Sequence, residues 1–173
     1  MGTVIPILFQ GAIPIFADVN NYGCTDPSSI KKLINDKTYA VVPVHLFGMP
    51  VDLDPIMEVA EEKGIYVVED CAQAYLAEYK GRYVGTIGHM AAFSLQQSKH
   101  ITSGDGGITV TNDDELADRA RLFADKGWDR SKGRKYVMLG MNYRICLLYT
   151  SDAADDGESV GLGGRRSIKK KKN

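Results

Sequence analysis

Several features that would define other protein classes are scarce in this sequence. Its 173 residues include only three cysteines, Cys24, Cys71 and Cys146, which are widely spaced. An odd and scattered set forms neither a disulfide framework nor a CxxC metal site, so a reducing, cytoplasmic setting is expected. The three histidines also lack the spacing of metal ligands, and we predict no metal site.

An excess of one charge and long apolar runs are absent as well. Lys and Arg total 21 against 22 for Asp and Glu, which gives a formal net charge of −1. A nearly neutral chain has no general electrostatic reason to bind nucleic acid or an anionic membrane. No apolar run reaches the length that spans a bilayer, and residues 1–16 lack the basic start of a signal peptide. The hydrophobic content of 44% suffices for one globular core.

Apolar segments alternate with amphipathic ones up to residue 145. Predicted strands cover 12–18, 39–44, 65–69, 90–94 and 107–111, with a hairpin over 79–84. Predicted helices cover 25–36, 54–64 and 113–126, the first two with Asp-Pro at their start and the second with Gly64 at its end. This alternation predicts one α/β domain with a mostly parallel sheet. Its first strand has no predicted helix before it.

The composition changes near residue 146. From there LLYTSDAADD, followed by LGGRRSIKKKK, resembles a recurrent translation of sequencing-adapter read-through. Few apolar residues and a lysine run would otherwise indicate a disordered, basic tail. We therefore divide the chain into a partial large domain, residues 1–145, and a non-native or disordered tail, residues 146–173.

Polar residues gather where two predicted strands end, at the edge where parallel sheets bind ligands. Asp70 follows strand 65–69, and Ser94 leads into a loop that contains Lys99, further hydroxyls and several glycines. Such a loop is a candidate anion cradle, although the GxxxxGK[ST] motif is absent. A plain polar loop and a helix-capping role for Asp70 remain alternatives. Together, an aspartate for a ring N–H and a lysine for a Schiff base suit a pyridine cofactor.

Four linked motifs resemble the DegT/DnrJ/EryC1/StrS aminotransferases. They read VVEDCAQA, YKGRYVGTIG, FSLQQSKHITSGDGGITVTNDDELADRARLF and GMNYR. The resemblance covers residues 3–145 and implies the large domain of a fold-type I, aspartate aminotransferase-like enzyme, incomplete at both ends. This family uses pyridoxal 5′-phosphate to move an amino group from glutamate or glutamine to a keto-sugar. The sugar is typically nucleotide-linked and destined for polysaccharides or antibiotics.

The resemblance also implies roles for individual residues. Lys99 would form the Schiff base with the cofactor and shuttle the proton, and Asp70 would hold the pyridinium proton. Gln73 would lie near the 3-oxygen of the ring, and Ser94 would bind the phosphate. Asn142, in GMNYR, would reach the phosphate in the partner subunit's site, because the family forms its sites across a homodimer.

Other functions remain open at this stage. Related sugar dehydratases carry histidine at the position of Lys99, so the lysine favours transamination over dehydration. A keto-cyclitol substrate, or a regulatory or non-catalytic binding role, is also compatible with the motifs. Family segments expected upstream and after residue 145 are not found in this sequence. We therefore expect an internal fragment that is inactive on its own.

Overall fold

The computed structural model describes residues 2–131, 133 and 135–143. The helices are α1 (Val4–Phe9), α2 (Pro27–Leu33), α3 (Asp54–Lys63) and α4 (Asp114–Ala124), with a 3-10 turn at Leu46–Gly48. The strands are β1 (Ala40–Val41), β2 (Tyr66–Asp70), β3 (Glu78–Tyr79), β4 (Arg82–Tyr83), β5 (Met90–Ser94), β6 (Gly107–Val110), β7 (Trp128–Asp129) and β8 (Lys135–Tyr136). Within this part of the chain, no helix is both long and apolar enough to cross a bilayer. The predicted tail, residues 146–173, lies outside the described residues.

The chain divides into two compact units. The first consists of residues 2–94 and 108–120, and the second of residues 95–107 with the described residues beyond 120. The main sheet has the strand order β1-β2-β5-β6. β1 pairs with β2 and β2 with β5 in parallel, with Ala40 opposite Tyr66 and Val68 opposite Met90. These pairs confirm the predicted parallel α/β architecture.

The apolar core of the first unit lies between the sheet and its helices. α3 packs against both β2 and α2, and its residues Ile56, Val59 and Ala60 are buried as the helical spacing predicts. One buried cluster joins the helices to the sheet; it comprises Cys24, Ile30, Val51, Ile56, Ala60, Ile65 and Val67. A second, smaller cluster lies beneath the β3–β4 hairpin and comprises Cys71, Ala74, Val84 and Ala91.

The start of α2 confirms the predicted cap. The Asp26 carboxylate accepts a hydrogen bond from the Ser28 N–H at 2.8 Å, and Pro27 occupies the first helical position. The helix ends at Leu33, earlier than predicted, because Ile34 turns to an extended conformation with ψ 132°. A cap therefore locates the beginning of this helix more accurately than apolar spacing locates its end.

Residues 12–18 do not form the predicted strand. A strand requires a neighbour for its N–H and C=O groups. In the described ranges, the only pairing next to this segment is an isolated bridge between Val19 and Thr25. Ile13 and Phe16 are 83% and 73% exposed. The expectation that no helix precedes the segment is also wrong, because α1 does.

The other strands differ from prediction mainly in length. β5 coincides with its prediction, and the predicted hairpin is confirmed as β3–β4, with Lys80 and Gly81 in its turn at positive φ. β1 is shorter than predicted because Pro43 has no N–H to donate. The pairing resumes beyond it, where the Pro43 carbonyl accepts from the Asp70 N–H at 2.9 Å. The β7–β8 hairpin was not predicted.

Gly64 ends α3 in the left-handed conformation, with φ 63°. We expect Gly64→Ala to lower the free energy of unfolding by about 1 kcal/mol, because an L-residue is strained there. The space around Gly64 is open, so the cost is conformational and not steric. Gly2→Ala is the matched control, since Gly2 has open space and no positive φ. Urea unfolding measures both variants, and equal stabilities would contradict this expectation.

Candidate active site

Asp70 lies at the carboxyl end of β2, in the first unit, and is half-buried. Its Oδ1 accepts a hydrogen bond from the Ala72 N–H at 3.1 Å, and its Oδ2 accepts one from the Thr3 hydroxyl at 2.7 Å. No helix follows Asp70 in the described residues before α4, so the helix-capping alternative is wrong. Both carboxylate oxygens are held by donors at the sheet edge where such folds bind ligands.

Gln73 follows Asp70 closely and is half-buried. Its side-chain Oε1 accepts a hydrogen bond from the Phe47 N–H at 3.1 Å. Because this bond occupies the oxygen, the Nε2 end of the amide is the end that can donate to a ligand. Phe47 has the left-handed φ of 52° and is 80% exposed. The turn at Leu46–Gly48 thus orients the Gln73 amide.

Ser94 ends β5, the neighbour of β2 in the sheet. It is half-buried, and its carbonyl oxygen accepts a hydrogen bond from the Tyr75 hydroxyl at 3.2 Å. Tyr75 also packs against Phe93, with ring centroids 5.1 Å apart. Asp70, Gln73 and Ser94 therefore all belong to the carboxyl edge of this sheet in the first unit.

Behind this edge, a fully buried carboxylate organises two loops. Glu69 Oε1 accepts from the N–H groups of Ile87 and Gly88, at 2.9 and 2.6 Å. Its Oε2 accepts from the Gly85 N–H at 2.7 Å and lies 3.0 Å from His45 Nε2. Burial raises the pKa of the Glu69 carboxyl, but the hydrogen bonds from His45 and these N–H groups outweigh burial and hold the pKa below its ordinary value.

The partners of His45 determine its tautomer. His45 Nδ1 accepts from the Val51 N–H at 3.0 Å, so the ring proton is on Nε2 and is donated to Glu69. Cys71 completes a compact His45, Glu69 and Cys71 group of the kind that can hold a metal ion. Burial, with the charges of Glu69 and Asp70, raises the pKa of the Cys71 thiol to about 12. Both ring nitrogens of His45 are engaged in hydrogen bonds, which suits a role as a hydrogen-bonded support for the two loops.

Lys99 lies in the second unit, in the loop 95–107, and is half-buried. Among the described residues, no partner is found for the Lys99 amine by hydrogen bonding or ion pairing. The Thr102 hydroxyl donates to the Leu95 carbonyl at 3.0 Å and the Ser103 hydroxyl to the Asp105 carbonyl at 2.7 Å. These two hydroxyls thus donate within the loop itself, and the predicted anion cradle stays a prediction.

Asn142 also lies in the second unit and is exposed. It forms an isolated antiparallel bridge with Asp125. The exposed position is compatible with the predicted contact to a partner subunit, which stays a prediction.

The parallel sheet of the first unit, with Asp70, Gln73 and Ser94 at its carboxyl edge, corresponds to part of the large domain of a fold-type I pyridoxal-phosphate-dependent transferase. The aminotransferase from Psychrobacter cryohalolentis has a similar structure, with a TM-score of 0.79 and 39% identity over 83% of this chain and 39% of that chain. Residues 1–150 match the DegT/DnrJ/EryC1/StrS aminotransferase family, and the chain belongs to this family.

Two of the named relatives carry the names of different kinds of compound. GDP-perosamine synthase of Escherichia coli O157:H7 is 40% identical over 84% of this chain and 40% of its own length. L-glutamine:2-deoxy-scyllo-inosose aminotransferase of Streptomyces kanamyceticus is 47% identical over 62% of this chain and 26% of its own length. The chain thus spans well under half the length of these relatives.

Pyridoxal phosphate is the cofactor that the family implies, and the residues present fit it. Asp70 has acceptor capacity beyond its two hydrogen bonds, as a pyridinium N–H requires. Gln73 presents an amide donor, which suits the ring 3-oxygen. The Lys99 amine is not committed to a described partner, as bonding to an aldehyde requires.

Sequence reasoning missed the supporting residues. Glu69 is an acidic side chain near the end of an otherwise apolar strand and needs partners where it is buried. His45, which follows the predicted neighbouring strand, was the available candidate. That signal could have identified the pair. No signal in the sequence identifies the bond from Thr3 to Asp70 or the backbone contact of Phe47 with Gln73.

Glu69→Gln tests the buried support. We expect a loss of about 2 kcal/mol in the free energy of unfolding, because an amide cannot accept all of the hydrogen bonds that the carboxylate accepts. Since the folded-state pKa of Glu69 lies below its ordinary value of 4.5, its ionised form contributes stability above that pH. The contribution is lost as the pH falls through the folded-state pKa.

Urea unfolding of the wild type and the variant across pH 3 to 7 measures this contribution. The stability difference between them should shrink towards acid pH. Glu61→Gln is the matched control, because Glu61 is exposed on α3, and it should track the wild type. A Glu69→Gln deficit that is the same at every pH would contradict the assignment.

Proposed function

We propose that this chain is part of a pyridoxal-phosphate-dependent aminotransferase that transfers an amino group from glutamate or glutamine to a nucleotide-linked keto-sugar. The observation that carries this proposal is the Asp70 carboxylate, held by two hydrogen bonds at the carboxyl end of β2. Membership of the aminotransferase family and a named relative that makes GDP-perosamine support the reaction type and the sugar.

Each residue contributes a distinct group in this proposal. When bound, pyridoxal phosphate supplies the electron sink that stabilises a carbanion at the amino-bearing carbon. Asp70 accepts the pyridinium N–H, and the Gln73 Nε2 donates to the 3-oxygen. Ser94 binds the phosphate, and Asn142 contributes to the phosphate site of the partner subunit in a homodimer.

Lys99 has two tasks in the proposal. Its amine bonds the cofactor aldehyde in the resting enzyme. Once released, the same amine would carry the proton between the Cα of the amino donor and C4′ of the cofactor. A histidine at this position could act as a base but could not bond the aldehyde in this way. Lys99 therefore supports transamination over the dehydration carried out by related enzymes.

A keto-cyclitol is the second candidate substrate. It is favoured by the relative named for 2-deoxy-scyllo-inosose, which matches a shorter segment at higher identity than the GDP-perosamine synthase does. Both substrates present a ketone on a polyhydroxylated ring, so the same lysine chemistry serves either.

Covalent trapping tests the assignment of Lys99. We expect borohydride reduction in the presence of pyridoxal phosphate to attach the cofactor to Lys99 in the protein expressed from its complete reading frame. Lys99→Arg should lose this label, because a guanidinium does not bond the aldehyde. Lys37→Arg, at an exposed lysine, should keep it. Peptide mapping locates the label, and equal labelling of Lys99→Arg and wild type would reject the assignment.

Amino transfer from glutamate or glutamine distinguishes the two substrates. We expect turnover of a nucleotide-linked keto-sugar at a kcat/KM at least about tenfold above that of 2-deoxy-scyllo-inosose, a difference of about 1.4 kcal/mol in transition-state binding. Mass spectrometry of the amino products measures both reactions. The opposite ranking would favour the cyclitol, and cofactor binding without either product would favour a regulatory role.

A further inference from the structure

The hydroxyl of Thr3 has an unusual partner for its position. Thr3 is the N-cap residue of α1, where threonine commonly accepts a hydrogen bond from the first turn of the helix. Its side chain makes no such bond. Instead the hydroxyl donates to Asp70 Oδ2 at 2.7 Å, across 67 positions of the sequence. α1 buries none of its residues, so this bond is not a by-product of a packed core around the helix.

The bond completes the restraint of the Asp70 carboxylate. The Ala72 N–H already donates to Oδ1 at 3.1 Å, and a single donor would leave the carboxylate free to rotate about its Cβ–Cγ bond. A second donor on the other oxygen fixes the plane of the group. A carboxylate offers about four lone-pair sites, so acceptor capacity remains for one more N–H.

We propose that Thr3 is a positioning residue, whose hydroxyl orients the Asp70 carboxylate to accept the pyridinium N–H of pyridoxal phosphate. This inference rests on the proposed function. Thr3 touches neither cofactor nor substrate in it and acts only through Asp70. Losing the hydroxyl should therefore weaken the part of cofactor binding that depends on the ring nitrogen, and leave the rest unchanged.

Two cofactors separate positioning from a general structural role. Pyridoxal phosphate has the ring nitrogen, whereas 1-deazapyridoxal phosphate has a C–H group in its place and cannot donate to Asp70. The measured quantity is the dissociation constant of the deaza compound divided by that of pyridoxal phosphate, from absorbance titrations of the protein expressed from its complete reading frame. We expect Thr3→Val to lower this ratio about threefold to tenfold, as the loss of one hydrogen bond implies.

Matched variants control for folding and for the hydroxyl itself. Thr3→Ser retains the donor and should keep the wild-type ratio. Thr111→Val removes another half-buried hydroxyl in the same unit, one that donates to the His89 carbonyl at 2.7 Å, and should also keep the ratio. Asp70→Asn removes the charged acceptor and should bring the ratio to its lowest value.

The outcomes separate the two proposals. A wild type that binds neither compound, or that leaves Lys99 unlabelled by borohydride, would overturn the proposed function and with it the role of Thr3. Normal labelling of Lys99 with an unchanged ratio in Thr3→Val would overturn the role of Thr3 alone. If Thr3→Val does not fold, Thr3→Ser decides: a ratio as low as that of Asp70→Asn would contradict positioning by the hydroxyl, and a wild-type ratio would support it.

Discussion

The burial of the Glu69 carboxylate is the constraint on which the candidate site depends. An ionised group away from water is stable only when its oxygens accept several hydrogen bonds. Glu69 obtains them from three backbone N–H groups and from His45. Those donors come from the loop after β4 and from the end of the chain segment that follows β1. One charge thereby holds two loops against β2.

Anchoring of Glu69 on one face of β2 also restrains the residue on the opposite face of the strand. Consecutive residues of a strand point to opposite sides, so Glu69 and Asp70 lie back to back. Rigid anchoring of Glu69 limits the movement of the backbone that bears Asp70. The His45 ring also binds the Val51 N–H, which ties down the turn whose Phe47 N–H orients Gln73. The groups proposed to contact the cofactor are thus supported by residues that do not touch it.

Local sequence signals correctly predicted two kinds of element: those stabilised by contacts within their own segment, and strands whose neighbouring strands are present in the sheet. The Asp26 cap and β5 follow from cap chemistry and apolar patterning. The prediction of a strand at 12–18 was wrong because an apolar pattern shows that a segment could pair in a sheet. It does not show that a neighbouring strand is there to pair with. Of the candidate site, the ends of the predicted strands indicated Asp70, Ser94 and Lys99, and the linked motifs added Gln73 and Asn142 through family resemblance. The hydrogen bond from Thr3 to Asp70 could not be predicted, because it joins residues far apart in the sequence. The left-handed φ of Phe47 could not be predicted either, because glycine is the residue that usually indicates this conformation.

The protonated thiol of Cys71 has a consequence for the chemical durability of this edge of the sheet. Cysteine reacts with oxidants and alkylating agents as the thiolate. Burial and the neighbouring carboxylates raise the pKa of Cys71 to about 12, so the thiol stays protonated near neutral pH. The side chain is also fully buried. The sulfur atom next to Asp70 in the chain therefore adds packing to the core in a buried, protonated form that reacts slowly with peroxide.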